Sequence, residues 1–282
     1  MRLLASTVTR RTPDVSRPSI EFVLRTCPDC DFLLVNNGRD PREFPPDLIK
    51  DNRFHIMHIP VNVGHPGGIN FAVQQAAARG YEFFLLLDDD ITFLTPDWYR
   101  KCLELMAFDP QIGVIGAKIV NPDEKTIQWA YTQIGPKGWE FHRGLPRHTE
   151  ALNRIYRVNS VQCIFFFVRV AHMQRVGYFD LLFSPTQYED ADYCFRMWLA
   201  GFSCVYDGRI EMAHHFQAYQ AQDAPMRQLH SSAHAMAMDL KYNGCLRFGL
   251  ALEEKIGQIG REIVLPGPPV NPTATTPSAT PK

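Results

Sequence analysis

The 282-residue sequence lacks long hydrophobic runs and has almost no net charge. A membrane-spanning helix needs roughly 18 or more consecutive apolar residues, and no segment approaches that length. The apolar run at the N-terminus is also too short for a signal peptide. Lysine and arginine total 29 against 30 aspartate and glutamate residues, a formal charge of −1. Because so balanced a charge favours neither nucleic acid nor an anionic membrane, we expect a cytoplasmic protein without a nucleic-acid partner.

Cysteines are too few and too irregularly spaced for a disulfide framework. The chain has seven, an odd number, and Cys27 and Cys30 form its one Cys-x-x-Cys pair. A zinc site needs a second pair and a redox site needs a thioredoxin-like context, and the sequence provides neither. We therefore expect reduced thiols that lie mostly in the core.

The defining residues of the common nucleotide-binding loops are also missing. A glycine-containing segment runs from Asn62 to Asn70 before a predicted helix, but no Walker lysine follows it and its spacing is not Gly-x-Gly-x-x-Gly. The backbone at Gly67 and Gly68 would still allow close approach to a phosphate or a sugar. An ordinary turn from loop to helix is the alternative.

The order of apolar patterns predicts one large α/β domain, which the length and the 45% hydrophobic content allow. In the first half, predicted strands cover Leu3–Val8, Phe32–Val35, His55–Ile59, Phe83–Leu87 and Ile112–Val120, and predicted helices cover Ser19–Arg25, the stretch from Ile69 to Gly80, and the segment opened by Pro96. In the second half, predicted strands cover Gln128–Tyr131, Val161–Val168 and Ser203–Tyr206, and predicted helices cover Glu189–Ala200 and two segments between Gln228 and Ile263 that break at Asn243-Gly244.

Three consecutive carboxylates, Asp88, Asp89 and Asp90, follow the fully apolar run Phe83–Leu87. Ligands of open α/β sheets bind at the carboxyl ends of the strands, where these acids would lie. Three adjacent negative charges are costly unless a cation shares them, and a divalent cation bound to a diphosphate is the natural partner. In an extended segment Asp88 and Asp90 point the same way and Asp89 is turned aside. An acidic surface turn is the alternative.

A second acidic group, Glu189, Asp190 and Asp192, opens the predicted helix over Glu189–Ala200. The helix dipole favours carboxylates there without any function. Asp192 lies four residues before Arg196, which is the spacing of a structural ion pair. Asp190 would be able to take a proton from an attacking hydroxyl if it faced the first acidic group.

His214 is a candidate metal ligand. It follows the predicted strand Ser203–Tyr206 and a predicted turn at Asp207-Gly208. An imidazole there could complete the coordination of a cation held by Asp90. Mixed carboxylate and imidazole ligands suit manganese somewhat better than magnesium.

In order along the chain, these motifs resemble glycosyltransferase family 2, whose members have the GT-A fold. Members show an Asp-Asn-Gly/Ser turn, an Asn-x-Gly loop, an Asp-x-Asp motif, a Gly-Gly-Phe-Asp segment, and Glu-Asp-x-Asp with a downstream Arg. The matching segments here are Asn36-Asn37-Gly38, Asn62 to Asn70, Asp88 to Asp90, Val176 to Asp180, and Glu189 to Asp192 with Arg196. The resemblance covers roughly residues 3 to 216. The stretch from Glu189 to His214 is similar to that of rhamnosyl- and galactofuranosyltransferase-like members, in which a histidine binds the metal.

The resemblance implies a Rossmann-like, mainly parallel sheet flanked by helices, with a smaller mixed acceptor-side region. Residues 1–225 would form the catalytic domain, with a nucleotide-sugar half at 1–122 and an acceptor half at 123–225. Residues 226–264 would be helices packed on it. Residues 265–282 are rich in proline and threonine and are expected to be disordered, since they cannot bury enough apolar surface.

The implied reaction is metal-dependent, inverting transfer from a nucleoside diphosphate sugar to a hydroxyl of a glycan, protein or lipid-linked acceptor. Asp190 would be the catalytic base, and Asp88, Asp90 and His214 would bind Mn²⁺ or Mg²⁺. The residues expected to contact the donor are Thr9, Arg11, Asn36, Asn37, Asn62, Gly67, Gly68, Asn70, Asp88, Asp89 and Glu189.

Two residues depart from the family pattern. Asn36 stands where the family has a base-contacting Asp, and Cys163 stands where many members have Gly. Because an amide both donates and accepts hydrogen bonds whereas a carboxylate only accepts, the identity of the nucleotide stays open.

Two other functions remain as alternatives: a non-catalytic nucleotide- or carbohydrate-binding domain, and a sugar-nucleotide nucleotidyltransferase. The segment from Thr9 to Pro13 lacks the glycines of the latter class. Peripheral membrane contact through Lys241, Arg247 and Lys255 is a weak expectation. Aromatic residues that could stack on a sugar, or could simply be core, are Trp139, Phe141 and Trp198.

Overall fold

A ten-stranded mixed sheet forms the centre of the protein. The structure is a computed structural model that describes residues 2–135, 138–215 and 224–266. The strands are β1 (Leu3–Thr9), β2 (Cys30–Asn37), β3 (Phe54–Ile59), β4 (Phe83–Leu87), β5 (Ile91–Phe93), β6 (Ile112–Val120), β7 (Ile127–Trp129), β8 (Thr132–Gly135), β9 (Gly138–Phe141), β10 (Ile155–Arg157), β11 (Phe165–Arg169) and β12 (Ser203–His214). The strand order of the large sheet is β10-β12-β6-β11-β4-β1-β2-β3, with β5 paired to β12 and β7 paired to β6.

Helices cover both faces of this sheet. They are α1 (Pro13–Thr26), α2 (Gly64–Ala78), α3 (Trp98–Phe108), α4 (Val170–Val176), α5 (Glu189–Leu199), α6 (Ala224–Lys241) and α7 (Cys245–Ile256). Short 3₁₀ turns lie at Pro41–Glu43, Glu150–Asn153 and Leu181–Phe183. One core layer contains buried side chains of α1 and α3, and the other contains those of α2, α4 and α5. This arrangement confirms the predicted fold class.

Strand β4 lies in the middle of the sheet, parallel to β1 and antiparallel to β11. All five of its residues are buried, as expected for an apolar run that packs on both faces. Strands β1, β2 and β3 are mutually parallel, and β6 is parallel to β12. The carboxyl ends of β1, β2 and β4 therefore meet at one edge.

Two predicted strands have different limits in the structure. The strand predicted at Val161–Val168 begins only at Phe165, and the one predicted at Gln128–Tyr131 ends at Trp129. Val161 packs tightly on Gly116, where an added Cβ would lie 2.4 Å from Val161 Cβ. The chain before Phe165 is thus apolar because it fills the core, although it does not extend the sheet.

The turn predicted at Asp207-Gly208 is wrong, because β12 continues through it to His214. The register shifts between Asp207 and Glu211, which marks an irregularity of the β-bulge kind. Asp207 is fully buried and accepts hydrogen bonds from the backbone and guanidinium of Arg209. Acidic and glycine residues here stabilise a bulge inside a long strand.

Helices α1 and α2 both begin earlier than predicted. Helix α1 begins at Pro13, where proline suits the first turn. Helix α2 begins at Gly64, whose φ of +77° turns the chain sharply into the helix, so Gly67 and Gly68 lie inside it rather than in a loop. The break between the two C-terminal helices at Asn243-Gly244 is confirmed.

Asp192 connects α5 to the C-terminal helices. It is completely buried and receives the predicted ion pair from Arg196 at 2.9 Å. It also accepts a hydrogen bond from Tyr242 and pairs with Lys241. Lys241 therefore points toward the protein, which weakens the expectation that it contacts a membrane.

All seven cysteines are buried and none forms a disulfide, as predicted. Within residues 2–135, 138–215 and 224–266, no helix has both the length and the apolar character to cross a bilayer. The predicted disordered tail, 265–282, lies outside the described residues apart from its first two positions.

Gly68 tests the packing of α2 on β1. A Cβ added at Gly68 would lie 2.4 Å from Val8 Cγ1, so Gly68→Ala should lower the free energy of unfolding by about 1–3 kcal/mol. This loss is expected although alanine favours a helix over glycine by about 1 kcal/mol. Urea denaturation measures the change, and the double variant with Val8→Ala should recover part of it. A midpoint equal to or above that of the wild type would contradict the packing.

Candidate functional site

A cleft of about 850 Å³ opens at the carboxyl ends of β1, β2 and β4. One wall comes from these strand ends and the start of α2, and includes Asn37, His65 and Asp88. The other wall comes from residues of β7, β8 and β9, from Arg143 and from the start of α6. Two residues of each acidic group line this space, Asp88 and Asp89 of the first group and Glu189 and Asp190 of the second.

Asp88, Asp90 and His214 lie together, with Asp88 and His214 lining the cleft and Asp90 buried beside them. His214 Nε2 is 3.1 Å from Asp90 Oδ1 and 3.5 Å from Asp88 Oδ2. One ligand atom from each of the three residues lies within 4.8 Å of the others. The sheet fixes this arrangement, because His214 pairs with Ile91 in the β12–β5 ladder, directly after the acidic segment.

His214 is oriented by Gln128. The ring Nδ1 donates to Gln128 Oε1 at 2.6 Å, and Gln128 Nε2 donates to the His214 carbonyl at 3.1 Å. This leaves Nε2 facing the two carboxylates, which is the arrangement of a metal-binding histidine with a positioned second nitrogen. Gln128 carries no sequence signal of its own, since its role depends on β7 pairing with β6, the strand that also pairs with β12.

Opposite charges set the protonation of this group. Burial alone would raise the pKa of Asp90, but His214 and Arg11 lower it far below its usual range. Burial likewise lowers the pKa of His214, whereas Asp90 and Asp88 raise it, and the net shift is upward. The carboxylate of Asp90 and the imidazole of His214 therefore each stabilise the charged form of the other.

Asp89 points away from His214, as expected, and is held by Thr9 and Arg11. Its Oδ2 accepts a 2.6 Å hydrogen bond from Thr9, and its Oδ1 lies 2.8 Å from the Arg11 guanidinium. Arg11 also donates to Asp90 Oδ2 at 2.9 Å. Burial raises the pKa of Asp89 to about 6, against the opposing effects of Arg11 and Thr9. Thr9 and Arg11, expected to contact the donor, thus stabilise the acidic segment.

Three of the four asparagines of the expected donor site, Asn36, Asn37 and Asn62, shape its loops. Asn36 is fully buried, accepts from the Arg39 backbone N–H, and contacts His58 with its amide nitrogen. Asn37 donates to Asn62 Oδ1 at 3.1 Å and accepts from the Val63 N–H at 3.0 Å. Asn37 and Asn62 line the cleft, whereas Asn36 does not.

Gly67, Gly68 and Asn70 have structural positions. Both glycines are buried, against Val63 and Val8, and neither lines the cleft. Asn70 makes two 2.8 Å hydrogen bonds with the backbone of Phe179 and so fixes α2 to the chain beyond α4. Helix packing accounts for the identities of these three residues, and their role as donor contacts stays a prediction.

His65 joins the two acidic groups, and the sequence interpretation did not identify it. Its Nδ1 donates to Glu189 Oε1 at 2.9 Å, and its Nε2 lies 4.0 Å from Asp88 Oδ1. Glu189 is 3% exposed and also accepts from Thr186. Burial lowers the pKa of His65, but Glu189 and Asp88 raise it, with a net upward shift. The sequence signal that could have identified His65 is a single histidine among the glycines at the start of α2.

Asp190 lies at the cleft end of α5. Its Oδ1 accepts from the Ala191 N–H at 2.8 Å. In the amide orientation that satisfies both neighbours, Gln162 donates to Asp190 Oδ2 at 3.0 Å and accepts from Trp129 Nε1 at 2.9 Å. Burial and the charge of Glu189 raise the pKa of Asp190 to about 7. A carboxyl group with such a pKa can exchange a proton near neutral pH.

The loop before α5 is strained and is held by α6. Gln187 and Tyr188 have positive φ angles of 83° and 71°, a conformation that costs on the order of 1–3 kcal/mol at each non-glycine residue. The His234 ring, 6% exposed, lies 3.0–3.1 Å from the carbonyl oxygens of Ser184, Thr186 and Gln187. Helix α6 therefore stabilises the conformation that presents Glu189 and Asp190.

Of the three aromatic residues considered for stacking, Trp139 and Phe141 line the cleft and Trp198 does not. Trp198 is 5% exposed and donates to the Val158 carbonyl in the core. Helix α6 adds Met226, Arg227 and His230 to the opposite wall. The C-terminal helices thus contribute to the cleft as well as pack on the domain.

The sequence model for the family described as "Glycosyl transferase family 2" matches residues 8–174, more than half of the chain. Among curated proteins, the chain is 27% identical over 235 residues to the uncharacterized protein y4gI of Sinorhizobium fredii (strain NBRC 101917 / NGR234). That match covers 78% of this chain and 25% of y4gI, so the chain spans about a quarter of the length of this relative.

Several solved structures share the fold. GalNAc-T7 with UDP, GalNAc and Mn²⁺ has a TM-score of 0.61 at 11% identity, with 78% of this chain and 45% of that chain covered. The mannosyltransferase PcManGT of Pyrobaculum calidifontis with GDP-Man and Mn²⁺ has a TM-score of 0.58 at 13% identity, with 89% and 70% covered. S. aureus TarS 1-349 with UDP-GlcNAc has a TM-score of 0.55 at 12% identity, with 79% and 61% covered. The predicted GT-A type fold is confirmed.

Adjacent histidines allow a matched test of the metal site. His214→Gln should weaken Mn²⁺ binding about tenfold or more, because it removes a ligand nitrogen that Gln128 holds in place. His215→Gln should leave binding unchanged, since His215 contacts Thr92 Oγ1 at 2.9 Å instead. Titration of free Mn²⁺ by electron paramagnetic resonance measures both. Equal affinities in the two variants would exclude His214 as a ligand.

Proposed function

This chain belongs to glycosyl transferase family 2, and we propose that it transfers a sugar from a nucleoside diphosphate sugar to an acceptor hydroxyl with the help of a divalent cation. The observation that carries the proposal is that Asp190, Asp88 and His214 line the same cleft, with His65 between the two acidic groups and Asp90 buried beside His214. A transferase needs a base near the acceptor and positive charge near the leaving diphosphate.

The donor atoms at Asp88, Asp90 and His214 fit a divalent cation. They are two carboxylate oxygens and one imidazole nitrogen within 4.8 Å of one another, a mixed set that suits manganese better than magnesium. Asp90 and His214 are almost completely buried, and a buried carboxylate is stable only beside positive charge. Two of the structures with the same fold contain Mn²⁺. When bound, the cation would offset negative charge on the departing diphosphate.

Asp190 is the proposed catalytic base. Its raised pKa suits proton removal from an acceptor hydroxyl at neutral pH. Gln162 and the backbone N–H of Ala191 hold the carboxylate in one orientation, and Asp190 lines the cleft. Attack by the deprotonated oxygen in a single displacement would invert the anomeric carbon.

We assign the donor to the wall formed by the strand ends. Its proposed contacts are Arg11, Asn37, Asn62, Asp88, Asp89 and Glu189, all of which line the cleft. Thr9 and Asn36 stabilise this wall without lining the cleft. Thr9 donates a hydrogen bond to Asp89, and Asn36 accepts one from the Arg39 backbone N–H. The similarity of residues 189–214 to rhamnosyl- and galactofuranosyltransferase-like members favours a hexosyl or deoxyhexosyl group.

We propose a glycan, protein or lipid-linked acceptor for the opposite wall. This divides residues 1–225 as expected, into a donor half over 1–122 and an acceptor half over 123–225. Helix α6 belongs functionally to the acceptor half, because Met226, Arg227 and His230 face the cleft. The alternative of a non-catalytic binding domain would retain the cleft and lack turnover.

A panel of nucleotide sugars with Mn²⁺ tests the activity. Release of nucleoside diphosphate from one donor should be metal-dependent and should fall about a hundredfold or more in Asp190→Asn, because the base is lost. Asp97→Asn is the matched control, since Asp97 pairs with Arg100 and Lys101 outside the cleft. Donor binding without any release, in a folded protein given acceptor extracts, would exclude the transferase and leave the binding domain.

The pKa of Asp190 predicts a pH profile. Because the base acts only when deprotonated, the rate at saturating substrate should rise with pH up to about 7 and then level off. Gln162→Leu removes a hydrogen bond to the charged carboxylate, so its rising limb should move to higher pH. Steady-state rates across buffers measure both profiles. A wild-type rate that is constant through neutral pH would contradict this role of Asp190.

A further inference from the structure

The cleft has two ends of different chemistry. Its metal end carries carboxylates that already have partners: Asp88 and Glu189 with His65, and Asp89 with Arg11. Its far end carries Arg143, Arg227 and His230 among aromatic rings. Beyond Asp190 the described lining therefore contains cations and rings, and no further carboxylate.

Arg143 lies over two of these rings. Its guanidinium carbon is 5.3 Å from the centre of the Trp129 ring and 5.6 Å from that of Phe141. Phe141 is in turn parallel to Trp139 at 6.4 Å. Stacking on rings uses the face of a guanidinium and leaves its edge N–H groups available. Among the described residues, no carboxylate forms an ion pair with Arg143, unlike Arg147, which pairs with Glu124 and Glu211.

A chain of contacts links Arg143 to the proposed base. Trp129 supports the guanidinium with its ring and donates from Nε1 to Gln162, which donates to Asp190 Oδ2. The indole of Trp129 and the side-chain amide of Gln162 therefore connect Arg143 to Asp190. An acceptor whose hydroxyl reaches Asp190 would extend over Trp129 toward the Arg143 N–H groups.

We propose that the acceptor is an anionic saccharide, whose carboxylate or phosphate binds the N–H edge of Arg143 while one of its hydroxyl groups reaches Asp190. This inference rests on the proposed transferase function. A planar guanidinium binds either oxyanion through two parallel hydrogen bonds, so both sources of negative charge share this chemistry. A neutral acceptor would gain nothing from Arg143 beyond ring contact.

Binding of three probes tests the charge of the acceptor. Methyl glucuronide, glucose 6-phosphate and methyl glucoside are titrated by calorimetry into the protein with Mn²⁺ and UDP. An anionic probe should bind about tenfold or more tightly than the neutral one, because hydrogen bonds between charged groups are the strong ones. Preference for the glucuronide or for the phosphate identifies the source. Equal affinity for all three, or binding of none, would overturn the proposal.

Variants of Arg143 test the residue. Arg143→Gln should remove the preference, and Arg143→Lys should keep part of it, since lysine has the charge without the fork. Arg154→Gln is the control, because Arg154 pairs with Glu150 and Glu262 and does not line the cleft. A preference that survives in Arg143→Gln would exclude Arg143 as its cause.

Donor turnover separates this proposal from the transferase itself. Hydrolysis of the nucleotide sugar without acceptor reports on the donor site, and it should be unchanged in Arg154→Gln because Arg154 does not line the cleft. Intact donor turnover in the wild type with equal affinity for charged and neutral sugars would overturn the anionic acceptor alone. Absence of nucleoside diphosphate release from the wild type, with acceptor extracts present, would overturn the transferase and this inference with it.

Discussion

The compensation of three adjacent carboxylates at the end of β4 is the constraint on which the rest of the site depends. Asp89 and Asp90 are almost completely buried, and negative charges there are stable only with nearby positive charge and hydrogen-bond donors. Arg11 supplies charge from the loop after β1, and His214 supplies it from the end of β12. Elements distant in sequence are therefore brought to one edge of the sheet by the same electrostatic requirement.

The second acidic group depends on a different kind of support. Glu189 and Asp190 follow two residues in the left-handed region, and such a backbone persists only where surrounding structure fixes it. His234 of α6 provides that support through contacts with three carbonyl oxygens. Asp192 of α5 accepts a hydrogen bond from Tyr242, which directly follows α6, and so fixes the end of α6 to α5. The C-terminal helices thus stabilise the reactive end of α5, and they also form part of the cleft wall.

Local pattern was sufficient to predict much of the fold. The limits of β4 and β6 follow directly from uninterrupted apolar runs, and their burial on both faces is the physical reason. Patterns failed where one residue type serves two purposes. Asp207-Gly208 is typical of a turn but forms a bulge, and Gly67-Gly68 is typical of a phosphate loop but allows helix packing.

The sequence by itself determined the central strands, the acidic motifs at strand and helix ends, and their family, because these depend on residues close together in the chain. Only the tertiary structure decided the strand order and which side chains meet. His65 bridges Asp88 and Glu189, which is 124 positions from His65, and Gln128 orients His214 from β7, a strand that pairs with β6. Such contacts depend on sheet order and helix placement, and no local spacing encodes them.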